Sequence, residues 1–276
     1  MNTKKSPGIS RRRFVTASGA VAVSGAILPQ SVTSANPGES KPTEWTDYEN
    51  IPLLEGHEPI SLVASKTILA VIDMQRYFVR ENYPFARTWE KVQPGCLAEY
   101  FTRVQHLVVP NCQKLQKAFR SVRANIVYTL FGSLREDGRD MPRWAREDNA
   151  LSRGVVGEPM FPQVTHPSCQ VDDSLAPEPG ELILAKTTSG PLNSTKLDQM
   201  LHTVGIDTLV VTGVVTDVCV IQTAREFADR DFKVVVVEDA CASATAARHH
   251  AALETFADVF GHVRSTESVI KLLSGA

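Results

Sequence analysis

Of the five cysteines, Cys96, Cys112, Cys169, Cys219 and Cys241, one stands where a thiol can do chemistry. In Gly213-Val214-Val215-Thr216-Asp217-Val218-Cys219-Val220, Cys219 falls in the first turn of the helix expected after a very apolar strand. A helix N-terminus favours a thiolate. Position alone fits equally well with a small buried hydrophobe. A carboxylate able to take a proton stands at the end of another apolar run, Thr67-Ile68-Leu69-Ala70-Val71-Ile72-Asp73, where a plain turn aspartate is the alternative. The cysteines are too few and too scattered for a disulfide scaffold, and their odd number leaves at least one thiol without an intramolecular partner.

The elements that must position these groups read as alternating strands and helices. The run 67–73 does not alternate polar and apolar residues, as expected of a parallel strand covered on both faces. Pro110 suits the first turn of a helix on which Leu115, Ala118, Phe119 and Val122 recur at helical spacing, and 125–131 reads as the second strand. Residues 132–180 show little periodicity, and so long a loop inside a domain points to a functional lid. Strands follow at 181–185 and 207–212, separated by a helix capped by Ser194 and running through about Thr203. Thr216 or Asp217 is expected to cap the Cys219 helix, which runs to Arg230. A fifth strand at 232–237, a helix from Ser243 through Phe256, a sixth strand at 259–263 and a final helix from about Glu267 complete the order. The fold class is therefore α/β, a doubly wound, mostly parallel six-stranded sheet with helices on both faces, with ligands expected at the carboxyl ends of its strands.

Three stretches together resemble the isochorismatase-like cysteine hydrolases, a superfamily that includes N-carbamoylsarcosine and ureidoacrylate amidohydrolases. The segment Gly213 to Val220 is similar to the family's nucleophile segment. Ala70-Val71-Ile72-Asp73-Met74-Gln75 resembles its first-strand segment, and Lys186-Thr187-Thr188-Ser189-Gly190 with Asn193-Ser194-Thr195 resembles the segment carrying its lysine. Val236-Val237-Glu238-Asp239-Ala240-Cys241 is similar to its fifth strand, so the resemblance covers roughly residues 66–273. It implies a catalytic group of Asp73, Lys186 and Cys219. The carboxylate would take the thiol proton, the ammonium would favour both anions, and the thiolate would attack a carbonyl carbon. The resemblance also implies an oxyanion hole from the N–H groups of Val215 and Cys219, positioned by a cis peptide between Val214 and Val215.

The implied reaction is cleavage of a C–N bond in a small amide or ureide through a cysteine thioester. An enol-ether hydrolase of the isochorismatase type, which needs no thiol, and a noncatalytic or redox-thiol binding protein are the alternatives. Members that bind a metal use Asp-x-His and a further histidine after the second strand. Here Thr129-Leu130-Phe131-Gly132-Ser133 stands there, with no histidine between His106 and His166, so neither a metal nor any other cofactor is expected. Substrate contacts are expected from Gln75, Tyr77, Phe131 and Trp144, the last closing the segment Gly138-Arg139-Asp140-Met141-Pro142-Arg143-Trp144.

The chain of 276 residues is 43% apolar and 22% charged, with a formal net charge of −2, which gives no electrostatic reason to expect a nucleic-acid partner. Its basic residues crowd the start. Ser10-Arg11-Arg12-Arg13-Phe14-Val15 resembles a twin-arginine (Tat) signal, an apolar stretch interrupted by small residues follows to Leu28, and Ala35 is a plausible cleavage point. The expected layout is a signal peptide at 1–35, a linker at 36–65 and a hydrolase domain at 66–276. The expected partners are a small-molecule substrate and the Tat export machinery, and the expected setting is a periplasmic homo-oligomer.

Overall fold

The computed structural model describes residues 59–275, so the signal-peptide reading and most of the linker lie outside the described residues. Six strands form one sheet in the order β3-β2-β1-β4-β5-β6, where β1 is Thr67–Ile72, β2 Asn125–Phe131, β3 Leu182–Lys186, β4 Thr208–Val214, β5 Lys233–Ala242 and β6 His262–Arg264. Every neighbouring pair is parallel. The chain winds outward from β1 through β2 to β3, then returns beside β1 with β4 and winds the other way. The reversal puts a crevice beyond the carboxyl ends of β1 and β4, which is where Asp73 and Cys219 follow their strands.

Both central strands are buried along their whole length. Leu69 and Val71 face one core, with Tyr128 and Val210, while Ile68, Ala70 and Ile72 face the other, with Leu209 and Val211. The first core is covered by α3 (Ala98–Arg103), α4 (Val109–Ser121) and α9 (Thr266–Ser274), and the second by α7 (Ile221–Ala228) and α8 (Ala246–Val259). Each fully buried Leu, Val or Phe contributes roughly 2 kcal/mol. Leu62 is already fully buried in the first core, so the packed domain begins before residue 66 and the last part of the expected linker belongs to it.

Several local expectations are corrected. Residues 132–180 are not a structureless lid, because they contain the fourteen-residue helix α5 (Arg143–Val156), ended by Gly157 at φ 84°. Its buried residues, Ala145, Asn149 and Ser152, are small or polar, so it carries no apolar stripe to read. Two helices, α1 (Arg76–Val79) and α2 (Pro84–Val92), precede α3, which continues through a π turn at Val104–Val108 into α4. Ser194 caps nothing: α6 (Leu197–Thr203) starts three residues later without a side-chain cap. Thr245, rather than Ser243, accepts from the Arg248 N–H to cap α8. β5 runs past Glu238 to Ala242, α8 runs on to Val259, and β6 accordingly begins only at His262.

Candidate active site

Asp73 leaves β1 with φ 51°, a left-handed conformation that aspartate tolerates better than most residues. Its backbone N–H donates to Thr129 Oγ1 at 3.1 Å, and the same hydroxyl donates to Asp73 Oδ1 at 2.6 Å. Thr129, the polar residue in the buried run of β2, thus fixes the carboxylate from both sides. The second oxygen, Oδ2, lies 2.7 Å from Lys186 Nζ. Both side chains are wholly buried.

Lys186 closes β3 beside Phe131, in register across the sheet. Its ammonium donates to the Thr188 and Ser189 carbonyls at 3.0 and 2.8 Å and stands 4.8 Å above the Phe131 ring. Those carbonyls belong to a loop held by Glu226 of α7, whose carboxylate accepts from Leu192 N–H and Asn193 Nδ2, each at 3.0 Å. A Cβ at Gly190 would lie 2.4 Å from that carboxylate, so a larger residue there would push Glu226 out of its place. Ser194 serves the same loop, accepting from the Thr187 N–H. A pair of opposite charges at this separation gains on the order of 5 kcal/mol at an effective dielectric of about 20. Desolvating two ions costs several kcal/mol each, so the Thr129 and carbonyl hydrogen bonds are what let the pair persist in a dry site.

Cys219 lies in the π turn Thr216–Val220 that leads into α7, with Val215 at the N-cap and neither Thr216 nor Asp217 capping. Thr216 Oγ1 instead meets His249 Nδ1 at 2.8 Å, and Asp217 binds Ser243 Oγ and Arg248 Nε, the latter at 2.8 Å. The Val214–Val215 peptide is cis. Gly213 just before it has φ 112°, and a Cβ there would sit 2.1 Å from the Ile72 carbonyl, so only glycine lets β4 pass this close to the end of β1. The thiol meets both Asp73 and Lys186. Burial pushes its pKa up, Lys186 opposes that and Asp73 reinforces it. Burial would lower the Lys186 ammonium, but Asp73 first, and Cys219 when ionised, outweigh it, and its pKa is raised.

Cys219, Val215, Phe131 and Trp144 share a cavity of about 410 Å³. Phe131 and Trp144 stack with centroids 5.5 Å apart and planes 8° from parallel, and Phe161 packs edge-on against both. Gln75 and Tyr77 do not line this cavity. Gln75 donates to the Phe131 and Cys169 carbonyls and accepts from the Phe131 N–H, and Tyr77 donates to the Phe131 carbonyl. Both are fully buried and brace the end of β2 from inside the core. Among the described residues, no group of three or more His, Cys, Asp or Glu side chains could hold a metal ion.

Residues 67–268 match the isochorismatase domain family. The chain belongs to that family. Its relatives include a ureidoacrylate amidohydrolase RutB of Methylorubrum extorquens, 30% identical over 227 residues, covering 79% of this chain and 86% of the relative. An N-carbamoylsarcosine amidase of Arthrobacter is 26% identical, covering 60% of this chain and 61% of that one. Among solved structures, a cysteine hydrolase from Pseudomonas syringae superposes with a TM-score of 0.64 at 25% identity, covering 79% of this chain and 98% of that one. The six-stranded parallel architecture is that of the isochorismatase-like hydrolases.

Sequence reasoning passed over Thr129, Glu226, Phe161 and Asp148. Thr129 and Glu226 each had a faint signal, as a polar residue in an otherwise apolar strand or on the buried side of a helix. Phe161 and Asp148 had none, because only the path of 132–180 brings them to the cavity.

Proposed function

We propose that this isochorismatase-family enzyme hydrolyses a C–N bond of a small amide or ureide through a thioester on Cys219. The observation that carries the reading is the buried Asp73–Lys186 pair at 2.7 Å beside the Cys219 thiol, which lines a cavity. Asp73 Oδ2 takes the thiol proton as Sγ bonds the carbonyl carbon, so no free thiolate has to be sustained in a dry site. The N–H groups of Val215 and Cys219 hold the tetrahedral oxygen. Collapse breaks the C–N bond, and Asp73 passes its proton to the departing nitrogen, releasing ammonia or an amine. Asp73 then takes a proton from water as the hydroxide attacks the thioester. The departing sulfur recovers that proton, and Lys186 keeps the carboxylate anionic between steps. The amidohydrolase names of the relatives support the reaction class.

Ammonia release by the purified protein across a panel of amides and ureides tests this. Cys219→Ala and Cys219→Ser are expected to fold and to lose at least about a thousandfold in turnover. Full turnover by Cys219→Ala would exclude the thioester, cleavage of an enol ether with no release from the panel would favour the isochorismatase-type reading, and neither activity would favour a noncatalytic or redox-thiol role. We further propose, from the sequence pattern of residues 10–35, Tat export to the periplasm. An Arg11→Lys, Arg12→Lys double variant should stay in the cytoplasm, and its normal delivery would end that proposal. A homo-oligomer is proposed as the assembly, to be read from light scattering, where a monomer would contradict it.

A further inference from the structure

The cavity beside Cys219 has an unusual combination of lining groups. Six aromatic rings face it, those of Phe78, Phe85, Trp89, Phe131, Trp144 and Phe161. Its charged side chains are Asp148, Asp217 and Arg248. Two of these cancel, because Arg248 Nε binds Asp217 Oδ2 at 2.8 Å. Asp148 is different: among the described residues it makes no hydrogen bond or ion pair. Asp148 stands one helical turn beyond Trp144 on α5, so the carboxylate and the indole share one helix face. That indole is stacked on Phe131, the ring beneath which Lys186 is held. Asp148 is half-buried, and burial, then the neighbouring Glu147, pushes its pKa up, which is the direction for a carboxylate lacking a cation.

Aromatic faces carry negative quadrupoles and attract cations, and a single unpaired carboxylate among them adds to that preference. A carboxylate-bearing substrate would have to desolvate against those faces and against Asp148, and the one guanidinium it could reach is already bonded to Asp217. We infer that the enzyme selects amides whose non-reacting part is aromatic or apolar and carries a cationic group, with Asp148 as the specificity-determining residue. The inference rests on the amide-hydrolase reading above, because it is the reacting amide that must lie at Cys219 while the cationic group reaches Asp148.

Three phenylacetamides of matched shape, bearing a para methyl, aminomethyl or carboxylate group, separate the possibilities. The aminomethyl compound should be turned over with kcat/KM at least about thirtyfold above the carboxylate one, with the methyl compound between them. Asp148→Asn should lower the aminomethyl-to-methyl ratio about tenfold, and Asp148→Lys should invert the order of the charged pair. Preference for the carboxylate compound, or a ratio that Asp148→Asn does not move, would overturn the inference. If that preference vanished in Arg248→Gln, the guanidinium would be the selecting group. Tryptophan fluorescence titration of Cys219→Ala with the aminomethyl compound reports the same site without turnover. Binding weakened about tenfold by Asp148→Asn there supports the inference even if no amide is hydrolysed, and equal binding of the carboxylate compound contradicts it.

Discussion

At the bottom of the site, beside Cys219, Asp73 and Lys186 are wholly buried and held by Thr129, Thr188 and Ser189, while on the wall of the cavity Trp144 remains 39% exposed and Asp148 is half-buried without a polar partner. The bottom is built on strand ends, where sheet register sets the position of each charged group. The wall is built largely from a helix on the segment 132–180, attached through aromatic contacts and a few side-chain bonds such as Asn149 with Phe161. The contrast separates two tasks. Charged groups in a dry site need fixed partners, which the strand ends and the loop held by Glu226 offer; recognition needs shape and adjustable rings, which a helix outside the sheet supplies.

If the separation holds, changes at the bottom should abolish turnover at any substrate concentration, and changes on the wall should act mainly through KM. Asp73→Asn keeps the shape of the carboxylate but not its proton affinity, so kcat should fall about a thousandfold for every substrate, measured by ammonia release with folding checked by circular dichroism. A loss confined to KM would blur the two regions.

The next largest effect concerns stability. His249, bonded to Thr216 in the Cys219 turn, has its pKa lowered from 6.5 to about 2, by burial first and then by Arg103 and His250. Its folded value is depressed, so the stability it contributes is present above about pH 6.5 and is lost as pH falls from there toward 2. Each unit in that window costs up to about 1.4 kcal/mol, so at pH 4.5 the unfolding equilibrium should have moved roughly a hundredfold. His249→Asn should flatten this slope in denaturant titrations, and an unchanged slope would remove His249 from the account.

On the wall, Trp144→Ala removes the ring stacked on Phe131 and should raise KM about tenfold while kcat changes less than threefold. A matching collapse of kcat would mean that the wall also positions the reacting atoms, and the comparison would need redrawing.

The same division explains what the sequence made legible. β1 and β4 were readable because a strand covered on both faces must be apolar throughout, and the carboxylate and thiol were readable because they interrupt or follow such runs. α5 was not, since its buried residues are Ala145, Asn149 and Ser152. Gln75 and Tyr77 misled for a physical reason. They are neighbours of Asp73 in sequence, yet both are fully buried and bind the Phe131 main chain.

The most direct test of the central claim is intact-protein mass spectrometry on enzyme quenched with acid during steady turnover, followed by peptide mapping. The account predicts an added mass equal to the acyl or carbamoyl part of the substrate, on Cys219 and on none of Cys96, Cys112, Cys169 or Cys241. It should accumulate further in Asp73→Asn if hydrolysis of the thioester is slowed more than its formation. Rapid turnover with no adduct at any quench time, together with full activity in Cys219→Ala, would contradict a thioester mechanism.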